Sequence, residues 1–73
     1  MNNTNLMAKQ DDGGKLIMMD GTIWMVSPGE IHTVSSWNPP CGIQILEDKG
    51  GQEYDYKLIN QEDNTSVFAK RRR

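Results

Sequence analysis

His32 and Cys41 are the residues of this chain whose types best suit metal binding or nucleophilic catalysis. They lie nine residues apart, and Glu30 is a third candidate metal ligand. Zinc sites use three or four ligands, commonly with paired spacing, and that spacing is missing here. A Cys–His nucleophilic pair also needs a group that orients the imidazole and an oxyanion donor. We therefore predict no metal site, no cofactor and no catalytic residue, and a protein that is not an enzyme.

The carboxylates and glycines favour the same interpretation. Adjacent acidic residues occur at 47–48 and 62–63, in predicted turns where like charges are simply solvated. Acid–base chemistry by paired carboxyl groups needs both groups in one desolvated cleft. The glycine pairs at 13–14 and 50–51 lack the spacing of a phosphate-binding loop or a dinucleotide fingerprint.

A run of positive charge at the C-terminus is the main candidate for binding phosphate. It consists of Lys70, Arg71, Arg72 and Arg73. Aromatic side chains beside such a run can stack on bases. However, residues 1–69 carry four Lys against ten acidic residues, a net charge of −6, whereas a nucleic-acid-binding domain typically presents a basic face. Weak nucleic-acid binding is therefore the alternative function, and nucleic acid is a disfavoured partner.

Short apolar segments separated by turn residues predict an all-β domain. The predicted strands are 15–19, 22–26, 42–47, 53–58 and 65–70. Asp20 and Gly21 predict a type I′ hairpin turn. Residues 27–37 are interpreted as an irregular loop with one helical turn, with a sixth strand as the other possibility. In the helical reading Ile31, Val34 and Trp37 share one face.

The chain of 73 residues, with a net charge of −2 and 36% hydrophobic residues, is long enough for one small domain. We predict a disordered leader over 1–14, a domain over 15–70 and a basic tail over 71–73, because residues 1–14 are too polar to repay ordering by burial. Five or six short strands can bury one face only by curling up. We predict a β-meander that closes into an SH3-like barrel, with an OB-fold as the runner-up.

Several segments resemble small bacterial proteins of unknown function. The matching segments are DGTIWMVSPGEI, Trp37 with a following proline, IQI, YDYKLIN and VFAKR. Those proteins are similar to single SH3-like β-barrels, and the resemblance covers residues 15–71. It implies the barrel fold and no catalytic or binding residue. Some of the bacterial proteins are exported as precursors, whereas this chain shows no signal segment and no membrane span, so a cytoplasmic location is expected.

The predicted function is a non-enzymatic interaction module that docks an extended peptide or protein through exposed aromatic side chains. Trp37 beside Pro39 and Pro40 is the predicted binding surface, because a large exposed aromatic side chain usually binds something. Tyr56 and Leu58 are expected inside the sheet, as is Trp24 in mid-strand. The partner's identity and the oligomeric state stay open, and no internal repeat is recognised.

Overall fold

The computed structural model describes residues 2–48, 50 and 53–72, which form six antiparallel strands and short helical segments. The strands are β1 Asn2–Gln10, β2 Lys15–Met18, β3 Ile23–Val26, β4 Cys41–Glu47, β5 Tyr56–Asn60 and β6 Ser66–Arg72. Two 3₁₀ segments, Asp11–Gly13 and Pro28–Glu30, and the helix α1 Ile31–Val34 connect them. The strands close into a barrel in the order β1-β2-β3-β6-β5-β4. The predicted all-β barrel is confirmed.

β1 corrects the predicted disordered leader over 1–14. Asn2–Gln10 pairs with β4 on one side and with β2 on the other. Leu6 is fully buried inside the barrel. The two ladders satisfy backbone N–H and C=O groups whatever the side chains are, so a polar segment with one well-placed leucine can form a strand. The folded domain therefore begins with β1, while Met1 lies outside the described residues.

β6 likewise runs further than predicted. Arg71 and Arg72 pair with Trp24 and Ile23 of β3, so they belong to the barrel wall rather than to a basic tail over 71–73. Pairing with β3 satisfies backbone groups that a free tail would leave to water. Arg73 lies outside the described residues.

The barrel consists of two three-stranded halves, β1–β2–β3 and β4–β5–β6. β1 pairs antiparallel with β4, and β3 pairs antiparallel with β6, so exchanging the halves leaves the pairing pattern unchanged. A matching sequence signature is present in both halves: Lys-Leu-Ile at 15–17 and 57–59, followed by Asp-x-Thr at 20–22 and 63–65. The repeat is not evident from the sequence alone, because the second turn is one residue longer than the first.

The connection between the halves covers one end of the barrel. The helical turn predicted there is confirmed: Val34 and Trp37 are fully buried, and Ile31 packs against the core. Gly13, in the turn after β1, has a φ of +96°, and a Cβ on it would lie 3.4 Å from Val34 Cγ1. Glycine at this position gives the chain a left-handed conformation directly beneath the helix.

Ser27 and Glu30 have the residue types and spacing of a capping box, but no capping box forms. Ser27 makes no side-chain hydrogen bond to the helical segment. The Glu30 carboxylate instead accepts the backbone N–H of Phe68 in β6, with Oε1 3.0 Å from the nitrogen. Since β3 ends at Val26, Glu30 supplies an acceptor to β6 just beyond the end of its neighbouring strand.

Asp20 and Gly21 turn the chain between β2 and β3 as predicted, but in a different geometry. Gly21 has a φ of +90° and donates its N–H to Met18 O at 3.0 Å, while Met18 N donates to Thr22 O at 2.9 Å. This is a three-residue loop in which glycine occupies the left-handed position after a type I turn. The type I′ prediction is wrong, because only one residue of this turn takes a positive φ.

The core lies inside the ring of strands and beneath the connecting helix. Its buried members are Leu6, Leu16, Met18, Trp24, Val26, Val34, Trp37, Cys41, Ile43, Ile45, Leu58, Val67 and Ala69. Tyr56 packs against this cluster and meets the Trp24 ring edge-on, with centroids 5.0 Å apart. The predicted inward placement of Trp24, Tyr56 and Leu58 is therefore confirmed.

We expect the substitution Leu6→Ala to destabilise the protein by about 2–5 kcal/mol, because it removes a fully buried side chain from the strand that closes the barrel. Met7→Ala is the matched control. Met7 lies in a β-bulge of the same strand and is 53% exposed, so its loss should cost less than about 0.5 kcal/mol. Urea unfolding followed by tryptophan fluorescence measures both. Equal losses would contradict the assignment of β1 to the core.

Candidate interaction surface

The structure places Trp37 in the core and not on the surface. Its relative exposure is 0%, and its indole Nε1 donates a hydrogen bond to Thr65 Oγ1 at 2.7 Å. Pro39 and Pro40 are exposed and are joined by a cis peptide bond. The predicted surface of Trp37, Pro39 and Pro40 is therefore wrong at its central residue. Trp37 follows Val34 by three residues and therefore lies on the same face of the helical turn. That face points into the core, so the indole points inward.

Both indole N–H groups are satisfied by the same arrangement, repeated in the two halves. Asp63 Oδ1 accepts the backbone N–H and the hydroxyl of Thr65, at 3.0 and 2.6 Å. Asp20 Oδ1 does the same for Thr22, at 2.9 and 2.6 Å, and Thr22 Oγ1 accepts the Trp24 indole N–H at 2.9 Å. Each aspartate takes the threonine hydroxyl hydrogen, which leaves the threonine oxygen free to accept from the indole.

We expect Thr65→Val to lower the free energy of unfolding by about 1–3 kcal/mol, because the buried Trp37 N–H would lose its acceptor. Thr65→Ser keeps the hydroxyl and should cost clearly less. Urea titration of both variants measures the difference. If valine and serine destabilised the protein equally, the hydrogen bond would not be what holds the indole.

The same two turns predict that the free energy of unfolding falls at acidic pH, which we call the acid limb of the pH–stability curve. Hydrogen bonds from Thr22 and Thr65 lower the pKa of Asp20 and of Asp63 below the ordinary value of 3.8. A lowered folded-state pKa means that the stabilisation is fully present above 3.8 and is lost as pH falls through the folded-state values. We expect the double variant Asp20→Asn, Asp63→Asn to show a shallower loss of urea midpoint below pH 3.8. An unchanged acid limb would contradict this.

Charge is segregated by the fold. The six Lys and Arg residues that the structure describes all lie in strands. Of the ten acidic residues, only Glu47 lies in a strand, at the end of β4, and the others lie in turns and helical segments. Hence the net negative charge belongs mainly to the connections, and the strands are cationic.

Four of these six cations, together with several apolar side chains, lie on the outside of the four consecutive strands β2, β3, β6 and β5, which we call the wall face; β2 and β5 are three strands apart in the ring of six, so this surface curves around the barrel. Its residues are Lys15, Ile17, Ile23, Met25, Phe68, Lys70, Arg72 and Lys57. These positions alternate with buried residues along each strand, so they point outward. All except the exposed Arg72 are half-buried. None of the apolar members packs against the core cluster.

Cross-strand register arranges the wall face in rows. Lys15 lies opposite Met25, which lies opposite Lys70. In the other half Lys57 lies opposite Phe68. Neighbouring strands are about 4.8 Å apart, so each lysine stands beside a large apolar side chain.

Two carboxylates also contact the wall face. Glu53 forms an ion pair with Lys70 at 3.4 Å, with both side chains substantially exposed. Lys70 Nζ also lies 5.3 Å from the centroid of the half-buried Tyr54 ring. Glu30 is the second carboxylate, at the backbone of Phe68. An exposed ion pair contributes little free energy, so Lys70 can exchange Glu53 for another anion.

The opposite side of the barrel, where β1 meets β4, has a different character. Its outward positions are the neutral residues Asn3, Asn5, Gly42 and Gln44. The barrel is therefore two-sided: uncharged amides line the β1–β4 side and cations line the wall face.

The structure divides the predicted basic run. Lys70 and Arg72 lie on the wall face, while Arg71 lies opposite Trp24 at the exposed end of β6 and lowers the pKa of Asp20 by its charge. Arg73 lies outside the described residues. Only part of the run thus serves a common surface.

His32 and Cys41 do not share an environment. His32 is exposed, whereas Cys41 is buried, and burial raises the pKa of its thiol. A raised pKa keeps the thiol protonated and weakly nucleophilic. Among the residues that the structure describes, no group of three or more His, Cys, Asp and Glu side chains is placed to hold a metal ion. No helix in that part of the chain has the length and apolar character needed to cross a membrane.

In comparisons with known proteins, no family model, no curated protein and no solved structure matches this chain. Lys15, Met25, Lys57 and Phe68 are the candidate site residues that our sequence analysis missed. Period-two alternation in 15–19, 22–26, 53–58 and 65–70 places them outward once the inward residues are known. The repeated Lys-Leu-Ile segment was the signal that could have brought the two lysines together.

Proposed function

We propose that this protein is a non-enzymatic interaction module that binds an anionic partner on the wall face. The observation that carries the proposal is the segregation of charge, with the described cations in strands and nearly all carboxylates in connections. A chain with a net charge of −2 can in this way still present a cationic surface. The half-buried apolar residues among the cations add contact area.

The burial of Cys41 and the exposure of His32 support a binding role over a catalytic one, since the two best nucleophile and base candidates do not form a pair. The burial of Trp37 moves the proposed contact surface from the proline loop to the wall face. A closed six-stranded barrel is compatible with the SH3-like resemblance. The SH3-like class, the bacterial family and the cytoplasmic location remain predictions.

We expect the protein to be retained on immobilised heparin, a polyanion, at low salt. The double variant Lys15→Gln, Lys57→Gln should elute at lower salt, because it removes one cation from each half of the wall face. Asn3→Asp, Asn5→Asp is the matched control. It changes the net charge by the same amount on the β1–β4 side and should elute with the unmodified protein.

Two results would contradict the proposal. One is passage of the unmodified protein straight through the column at low salt. The other is equally early elution of both double variants, which would show that only net charge matters. Circular dichroism confirms that each variant keeps the β-barrel before it is compared.

A further inference from the structure

We propose that the anionic partner is a single-stranded nucleic acid, held with its phosphates at Lys15, Lys57, Lys70 and Arg72 and with bases against Phe68 and Tyr54. This inference rests on the proposed function and names the partner class for the same surface. In this proposal Lys70 and Arg72 of the C-terminal basic run belong to a broader binding site and not to a separate basic tip.

The pairing of a lysine with a large apolar side chain occurs once in each half of the barrel. Lys15 stands opposite Met25 in one half, and Lys57 stands opposite Phe68 in the other. The internal repeat makes these two pairs equivalent. A nucleotide presents the complementary combination, a negative phosphate beside a flat apolar base, so each pair can hold one nucleotide of a strand that crosses the wall face.

Two aromatic rings lie beside the cations of the wall face. Phe68 points outward between the buried residues Val67 and Ala69, and its half-buried ring is not packed into the core. Tyr54 is half-buried beside Lys70. Aromatic side chains next to cations on a sheet surface form the stacking platforms on which unpaired bases bind.

The closed barrel argues against an acidic peptide. Extended peptides commonly bind by adding a strand to a free sheet edge. In the described barrel each strand pairs with a neighbour on both sides, so a peptide would have no edge strand to join. A peptide would then have to bind through its side chains, without the backbone hydrogen bonds that an added strand makes.

Fluorescence anisotropy with a labelled oligothymidine tests the inference directly, with poly-glutamate and a DNA duplex as competing probes. We expect the oligothymidine to bind with a slope of log affinity against log salt of about −3, from about 0.7 for each of four phosphate contacts. Lys15→Gln and Lys57→Gln should each reduce the magnitude of that slope by about 0.7. Asn3→Asp on the opposite side should leave it unchanged.

Phe68→Leu separates stacking from charge. Leucine keeps an apolar, strand-compatible side chain at this outward position, so the barrel should remain folded. We expect the variant to bind oligothymidine about five- to one-hundred-fold more weakly with an unchanged salt slope, because only base stacking is lost. Urea unfolding checks that its stability is retained.

The outcomes distinguish the inference from the proposed function. Equal competition by poly-glutamate or by the duplex, together with no effect of Phe68→Leu, would overturn nucleic-acid binding and leave the anion-binding wall face intact. Failure of every polyanion to bind would overturn both. Preferential competition by unlabelled oligothymidine with weakened Phe68→Leu binding would support the inference.

Discussion

Ring closure by the β1–β4 and β3–β6 ladders is the constraint on which the rest of this small protein depends. A flat sheet of six short strands would bury only one face, and only against another layer. When the sheet closes, the inward-facing side chains of each strand lie against the inward-facing side chains of the other strands. It also means that polar β1, with the amides of Asn3 and Asn5 outside and Leu6 inside, is as necessary as any apolar strand.

The two tryptophans show how so small a core tolerates polar atoms. An indole provides a large apolar area, but its N–H is costly to bury without an acceptor. Trp24 and Trp37 each donate to a threonine hydroxyl whose hydrogen is held by an aspartate two residues earlier in the chain. Because the aspartates sit in the turns after β2 and β5, turn geometry and core packing are coupled: a change in either turn moves an indole acceptor.

Sequence reasoning predicted the elements with strong local signals. The Asp20–Gly21 turn, the alternation that buries Leu58 and the helical phase of Val34 all act within a few residues, and these placements agree with the structure. β1 has few apolar residues and is held by ladders to strands distant in sequence, so composition indicated disorder instead.

The candidate site was harder to predict from sequence than the fold. Trp37 was expected on the surface because prolines follow it, although its spacing from Ile31 and Val34 already indicated burial. Lys15 and Lys57 lie in different halves, at the two edges of the wall face, and only the β3–β6 pairing joins those edges into one continuous surface. The net charge also gave no indication of the wall face. It adds the cations of the strands to the carboxylates of the connections, so their separation in the fold is lost in the sum.

Exchanging the two halves leaves the strand pairing unchanged. The barrel is therefore built like a dimer whose two subunits are joined in one chain. Residues 27–40 are its tether, and a short tether gives the two halves an effective concentration of the order of millimolar for each other. Each half from one chain could meet the complementary half of a second chain through the same ladders, which is the geometry of a domain-swapped pair. The strand pairing would be the same in both forms. The choice between them therefore rests on the connecting segment, where Val34 and Trp37 anchor the tether to the barrel it closes.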